Sequence, residues 1–252
     1  MSGSYAGITY GSSNWLVRTI HLRRFAIVRE LLQLRRTSSW LDYGAGDGKL
    51  IAMVRPTGRT VAFEPVESMR AACVDQLAGL DVEVVADVPD GPFDVITALE
   101  VLEHLPLPER RRFYDVVRSN ATAGVRCIIE VPVEYGPVLV AKALGRRFIK
   151  GRPPEYGAIE LLRAGLLGRV ADTASRFDGD DTRTWIGAHK GFDVRRLHAE
   201  LRRLGTVVEV RRSPFRFLPA WLNQCVIYLV EVDSDEHPGP VEEVGRAEAM
   251  PG

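Results

Sequence analysis

Apolar positions along this chain follow two rhythms. Between 14 and 35, Leu16, Ile20, Phe25, Val28 and Leu32 recur near the helical period, and a helix is predicted there. From residue 38 onward, short apolar runs alternate with helical stretches. Strands are predicted at Leu41-Asp42-Tyr43 and over 59–65, 82–88, 93–100 and 127–133. Three of these runs close on an acid: Glu64, Asp87 and Glu100. Helices are predicted over 47–54, 66–79, 107–121, 158–171 and 194–204. Pro108 and Gly124 bracket the third of them. Phe113, Val116 and Val117 would face the sheet. Val194, Leu197, Leu201 and Leu204 share one face of the last helix, with Asp193 before it and Gly205 after it. Two more strands are expected over 206–212 and 224–232. Strands alternating with helices imply a parallel sheet covered on both faces. Ligands of such sheets bind at the carboxyl ends of the strands, near the switch point.

One of those ends carries Asp42-Tyr43-Gly44-Ala45-Gly46-Asp47-Gly48-Lys49. Glycine permits a tight turn and a close ligand approach, and the helix start behind it offers free N–H groups to an anionic group. A dinucleotide fingerprint, G-x-G-x-x-G/A, needs a small third residue for helix–strand packing. Position 49 is instead a long lysine. Glu64 follows Asp42 by 22 residues, and a carboxylate there suits a ribose hydroxyl pair.

The order Asp42-x-Gly44-x-Gly46-x-Gly48, Glu64, Asp87, then Phe93-Asp94-Val95-Ile96 and Glu100-Val101-Leu102-Glu103-His104-Leu105 resembles the class I S-adenosylmethionine (SAM) methyltransferases. The resemblance is clear over 38–134, weaker over 189–232, and absent over 136–188. It implies a Rossmann-like α/β fold: a mostly parallel seven-stranded sheet, its last hairpin antiparallel, helices on both faces and an inserted cap. SAM would be the cofactor and S-adenosylhomocysteine the product. Asp42, Tyr43, Gly44, Gly46 and Gly48 would line it, Glu64 and Pro65 would stand at its ribose, and Glu100 would border its methyl group. Asp87 would accept from the adenine amino group, with Val88 flanking the ring.

The expected organisation is an N-terminal arm and helix over the pocket (1–35), a SAM-binding core (36–135), an inserted substrate cap (136–188), a helix and hairpin completing the core (189–232) and a flexible tail (233–252). The 252 residues suffice for one such domain. Net charge is +0, so no global field points to nucleic acid or a membrane surface. The basic side is nearly all arginine, which fits a high-GC bacterial source. Arginine pairs such as Arg23-Arg24 and Arg211-Arg212 read as solvated faces. Cys73, Cys127 and Cys225 read as buried thiols. No long apolar run or leader pattern is present, and a cytoplasmic protein without membrane insertion is expected. Trp15, Trp40, Trp185 and Trp221 are expected in the core or pocket wall.

The chemistry is in-line displacement at the methyl of a sulfonium, with a base to take the acceptor's proton. His189, before a Gly-Phe-Asp helix start, is the first candidate base. His104 and Glu100 are the others. Glu100, Glu103 and His104 have the i, i+3, i+4 spacing of one helical face. That face could present a divalent metal site, as in metal-assisted O-methyltransferases, or border the methyl pocket with no metal. The leading expectation is methyl transfer to a hydroxyl or amine of a small bacterial metabolite, such as a sugar or secondary-metabolite precursor. Metal-assisted O-methylation, a nucleic-acid methyltransferase and a non-catalytic SAM-binding protein are the alternatives. The acceptor, oligomeric state and role of 136–188 stay open.

Overall fold

The structure, a computed structural model, describes residues 15–36, 38–150, 156–170 and 191–232. The expected arm, the tail and His189 lie outside these residues. The elements run α1 Trp15–Leu32, β1 Trp40–Tyr43, α2 Lys49–Val54, β2 Thr60–Phe63, α3 Glu67–Leu77, β3 Glu83–Val85 and β4 Phe93–Leu99. A single 3-10 turn, Leu102–His104, leads to α4 Leu107–Ser119 and β5 Ala121–Pro132. Then follow α5 Pro137–Lys150, α6 Ala158–Leu167, α7 Val194–Leu204, β6 Thr206–Ser213, a 3-10 turn Ala220–Leu222 and β7 Cys225–Val232.

The seven strands form one sheet in the order β3-β2-β1-β4-β5-β7-β6. β7 runs antiparallel between β5 and β6, and the other pairings are parallel. The switch in strand order falls between β1 and β4, so their carboxyl ends open a crevice.

Alternation along the strands sorts two cores. One face carries Trp40, Ala62, Val95 and Ile128, under Phe25, Val28 and Leu32 of α1, Leu50 and Ile51 of α2, and Cys73 and Leu77 of α3. The other carries Leu41, Val61, Ile96 and Ile129, under Phe113 and Val117 of α4 and Val194, Leu197 and Leu201 of α7. Asp193 caps α7 through its side chain, which accepts from the Arg195 N–H. All three cysteines are buried free thiols.

Three expectations shift. β5 begins at Ala121 rather than 127, because Ala121 pairs with Phe93 across a register irregularity and Val125 pairs with Val232. Trp221 is 43% exposed rather than a core or wall residue. Arg24 is buried, while its neighbour Arg23 is the solvated member of the pair.

Candidate active site

Gly44, Gly46 and Gly48 all take left-handed φ values, +74°, +59° and +74°. Three left-handed residues in five reverse the chain between β1 and α2. The glycines do different work. A Cβ on Gly48 would stand 2.9 Å from Cys73 Sγ and 3.0 Å from Leu77 Cγ, so that position lets α3 approach. Gly46 has only Met69 Cε near its Cβ position, at 3.6 Å. Its requirement is the left-handed backbone, and the space beside it is open.

Glu64 ties the loop to β2. Its Oε2 accepts from the Gly46 N–H at 2.8 Å, and its Oε1 accepts from the Val66 N–H at 2.9 Å. Each such charge-assisted bond is worth about 1.5–3 kcal/mol. A carboxylate has about four lone-pair positions, so Glu64 keeps acceptor capacity. Burial pushes its carboxyl above the ordinary range, against the pull of the Val66 and Gly46 N–H groups.

Asp42 lies in β1, 3% exposed. The Thr97 hydroxyl donates to its Oδ1 at 2.6 Å and accepts from Trp40 Nε1 at 2.9 Å. This chain of bonds links β1 and β4 at the switch point. Burial raises Asp42 to about 7, with Thr97 opposing and Glu64 adding to the shift. Tyr43 points to the opposite core, with its ring 4.7 Å from Phe63 and 4.9 Å from Phe113. Only its main chain borders the loop. Pro65 and Asp87 are exposed at the ends of β2 and β3, and Val88 packs half-buried against the core.

At the end of β4 the backbone turns through Glu100, whose φ is +55°. A glutamate rarely adopts this region, and such residues cluster at functional sites. Glu100, Glu103 and His104 were expected on one α-helical face; they are not so arranged. Glu100 precedes the 3-10 turn and reaches α1, where Arg24 Nη1 lies 2.9 Å from its Oε1. Glu103 and His104 sit inside the turn, buried, with His104 Nε2 3.9 Å from Glu103 Oε1. Among the described residues, no group of three or more His, Cys, Asp or Glu side chains is placed to hold a metal ion.

Arg24 also reaches Glu130 of β5, Nη1 to Oε1 at 3.2 Å. The side chains of Glu103 and Glu130 are 0% exposed and that of Glu100 is 22% exposed. One guanidinium thus bonds two carboxyl groups beneath α1, those of Glu100 and Glu130. Burial raises Glu130 to about 7, with Arg24 opposing and Glu100 adding. Glu103 is also raised well above the ordinary range, first by burial and then by Glu100.

A second anchor sits beyond β5. Glu134 is 1% exposed and takes Lys142 Nζ at 3.2 Å and the Tyr156 hydroxyl at 3.2 Å. It fastens α5 and the start of α6 to the carboxyl end of β5. Arg24, Thr97, Glu130 and Glu134 were not singled out from the sequence. For Thr97 and Glu130 the signal was present, as a polar residue inside an otherwise apolar strand.

A methyltransferase-domain family model matches residues 18–144, half of the chain, and the protein belongs to that family. No curated protein sequence is significantly similar. Among solved structures, the methyltransferase domain of bacterial CtHen1-CN superposes with TM-score 0.55 at 12% identity, covering 84% of this chain and 100% of its own. The N-methyltransferase NodS from Bradyrhizobium japonicum WM9 gives 0.53 at 13% identity, covering 85% and 97%. The cyclopropane synthase MmaA2 from Mycobacterium tuberculosis gives 0.53 at 12% identity, covering 81% and 67%. These likenesses establish the fold. The chain is a class I SAM-dependent methyltransferase, an enzyme whose methyl donor is SAM and whose coproduct is S-adenosylhomocysteine. Among the described residues, no helix is long and apolar enough to cross a membrane.

Proposed function

We propose that the enzyme methylates a hydroxyl or amine of a small metabolite, in the cytoplasm of a bacterium. The observation that carries the donor half of this reading is the Gly46–Glu64 contact. It holds an open, left-handed loop against an acid that keeps acceptor capacity, at the sheet's switch point. Glu64, with Pro65, is assigned to the ribose hydroxyls, Asp87 and Val88 to the adenine, and the Asp42–Gly48 segment to the remainder of the cofactor. The residues present suit a ligand with a diol and a flat base. When bound, the cofactor supplies an electrophilic methyl on a positively charged sulfur.

The acceptor half is assigned to Glu100, the one partly exposed carboxylate of the group facing Arg24, and to the cap that follows β5. α1 and the segment before it are assigned as cover for the pocket. His189 is the proposed general base and His104 the second candidate. The base's role would be to take the proton of the acceptor's hydroxyl or amine, at an imidazole nitrogen of His189 or, second, of His104.

The test is calorimetric titration with SAM, followed by turnover on a panel of hydroxyl and amine metabolites. Wild type is expected to bind SAM and not NAD, and Glu64→Ala to bind about tenfold or more weakly, from loss of at least one charged hydrogen bond. His189→Ala is expected to lower turnover more than SAM affinity. A melting temperature raised by NAD but not by SAM overturns the donor assignment. Turnover of His189→Ala within about twofold of wild type overturns the base assignment.

A further inference from the structure

The segment from 137 to 170 differs from the rest of the chain in charge. It carries seven lysines and arginines (Lys142, Arg146, Arg147, Lys150, Arg152, Arg163, Arg169) against two acids, Glu155 and Glu160, in a protein whose net charge is +0. Within it, α6 is apolar on two faces. Its inner face is used: Ala164 and Gly165 are buried, and a Cβ on Gly165 would strike Val140 of α5 at 2.4 Å. Its outer face carries Ile159, Leu162, Leu166 and Leu167, which are 57–70% exposed. The first three are spaced i, i+3 and i+7 and form one stripe. Arg163 and Arg169 are exposed around that stripe, and Arg147 is exposed on α5.

A second apolar element flanks α5. The loop between β6 and β7 exposes Phe215, Phe217, Leu218 and Trp221, with Phe217 93% exposed, and Arg216 is exposed among them. This loop is held in shape. Asn223, fully buried, accepts from the Phe215 N–H at 2.7 Å and donates to the Leu218 and Pro219 carbonyls at 3.0 and 3.1 Å. Both elements meet the start of α5. The Gly136 N–H donates to the Ala164 carbonyl at 2.9 Å, and a Cβ on Gly136 would lie 2.6 Å from the Trp221 carbonyl.

Apolar surface on this scale marks an interaction site. A helix stripe of Leu and Ile rimmed by arginine, beside an aromatic loop, matches the chemistry of the bilayer interface, where apolar groups enter the acyl boundary and cations meet anionic headgroups. A second copy of this chain would bring two positive surfaces together. A nucleic acid would leave the aliphatic stripe unused. We propose that α5, α6 and the 215–221 loop form a docking surface for an anionic phospholipid bilayer. The protein lies on that surface without spanning it. This goes beyond the function proposed above and does not depend on the identity of the acceptor.

The test is co-sedimentation of the full chain with vesicles at physiological salt. One set is pure phosphatidylcholine and the other contains about 30 mol% phosphatidylglycerol, enough to give an anionic surface. The expected result is at least about tenfold stronger partitioning onto the anionic vesicles, weakened by raised salt. Leu162→Glu/Leu166→Glu and, separately, Arg163→Glu/Arg169→Glu change exposed positions, so melting temperature should hold while vesicle binding falls about tenfold or more. Equal partitioning on both vesicle sets overturns the proposal, as does unchanged binding by both variants. It is also overturned if the leucine variant turns a dimer into a monomer while vesicles are ignored, or if the face retains a short RNA duplex in preference to vesicles.

Discussion

Replacing Asp42 by Asn tests whether the buried carboxyl at the switch point holds a proton when the cofactor is absent. Asn has the same shape and can still accept from Thr97, so the packing is retained and the titration is removed. In the folded protein Asp42 sits at about 7 against an ordinary 3.8, with burial as the main cause. A folded-state value above the unfolded one means that the native state binds more protons between those two pH values. This contribution to stability is therefore full below pH 3.8 and is lost as pH rises toward 7. From pH 5 to 8 the loss amounts to about 2.6 kcal/mol, at about 1.36 kcal/mol per pH unit up to the folded value and little beyond it. Other groups act in the opposite sense. Asp94, whose carboxylate accepts from the Ser39 N–H and hydroxyl, is lowered and favours folding at higher pH. The informative quantity is thus the difference between wild type and Asp42→Asn, from urea denaturation at pH 5 and pH 8 without cofactor. The variant should gain on wild type by about 2–3 kcal/mol between these pH values. A difference that stays constant within about 0.5 kcal/mol would refute a protonated, desolvated Asp42.

Two further outcomes follow from the packing. Arg24→Leu removes the cation facing Glu100 and Glu130 and should cost about 3–5 kcal/mol at pH 8. The cost should be smaller at pH 5, because Glu130, raised to about 7, then takes up a proton; denaturation at both pH values checks this, and an equal or larger cost at pH 5 would count against it. Gly48→Ala should cost about 2–4 kcal/mol, since a left-handed backbone is combined with contact on Cys73 and Leu77. Gly79→Ala, equally left-handed but with no atom within 4 Å, should cost only about 1–2 kcal/mol in the same melts.

Much of this fold was legible from the sequence. α7 begins and ends where Asp193 and Gly205 bracket its apolar face, and β2 and β4 stop within two residues of their terminal acids. These are local signals, in which a periodic run is bounded by a residue with a specific backbone role. What stayed hidden was long-range. Nothing near Arg24 in the chain distinguishes it from Arg23, and its burial depends on Glu100 and Glu130, which lie far away in sequence. The Glu100-x-x-Glu103-His104 spacing suggested a helical face because periodicity carries no information about the left-handed turn at Glu100. The glycine loop was legible as a cofactor loop. That Gly48 serves α3 packing while Gly46 faces open space depends on where α3 lies, which the loop's own residues do not encode. His189 lies outside the described residues, and its role rests on the sequence alone.

The Glu134 anchor has an evolutionary consequence. The chain leaves the sheet at the end of β5 and returns to it at α7, and the helices α5 and α6 are fastened to the carboxyl end of β5 through Glu134, Lys142 and Tyr156. Glu134 lies just beyond β5, which β4 separates from β1, the strand that the glycine loop follows. Helices α5 and α6 are thus open to exchange for others of different length and shape, so long as a partner for Glu134 is kept. Descendants of this chain could change what they modify and keep their methyl donor, with most of the sequence drift falling in one contiguous block.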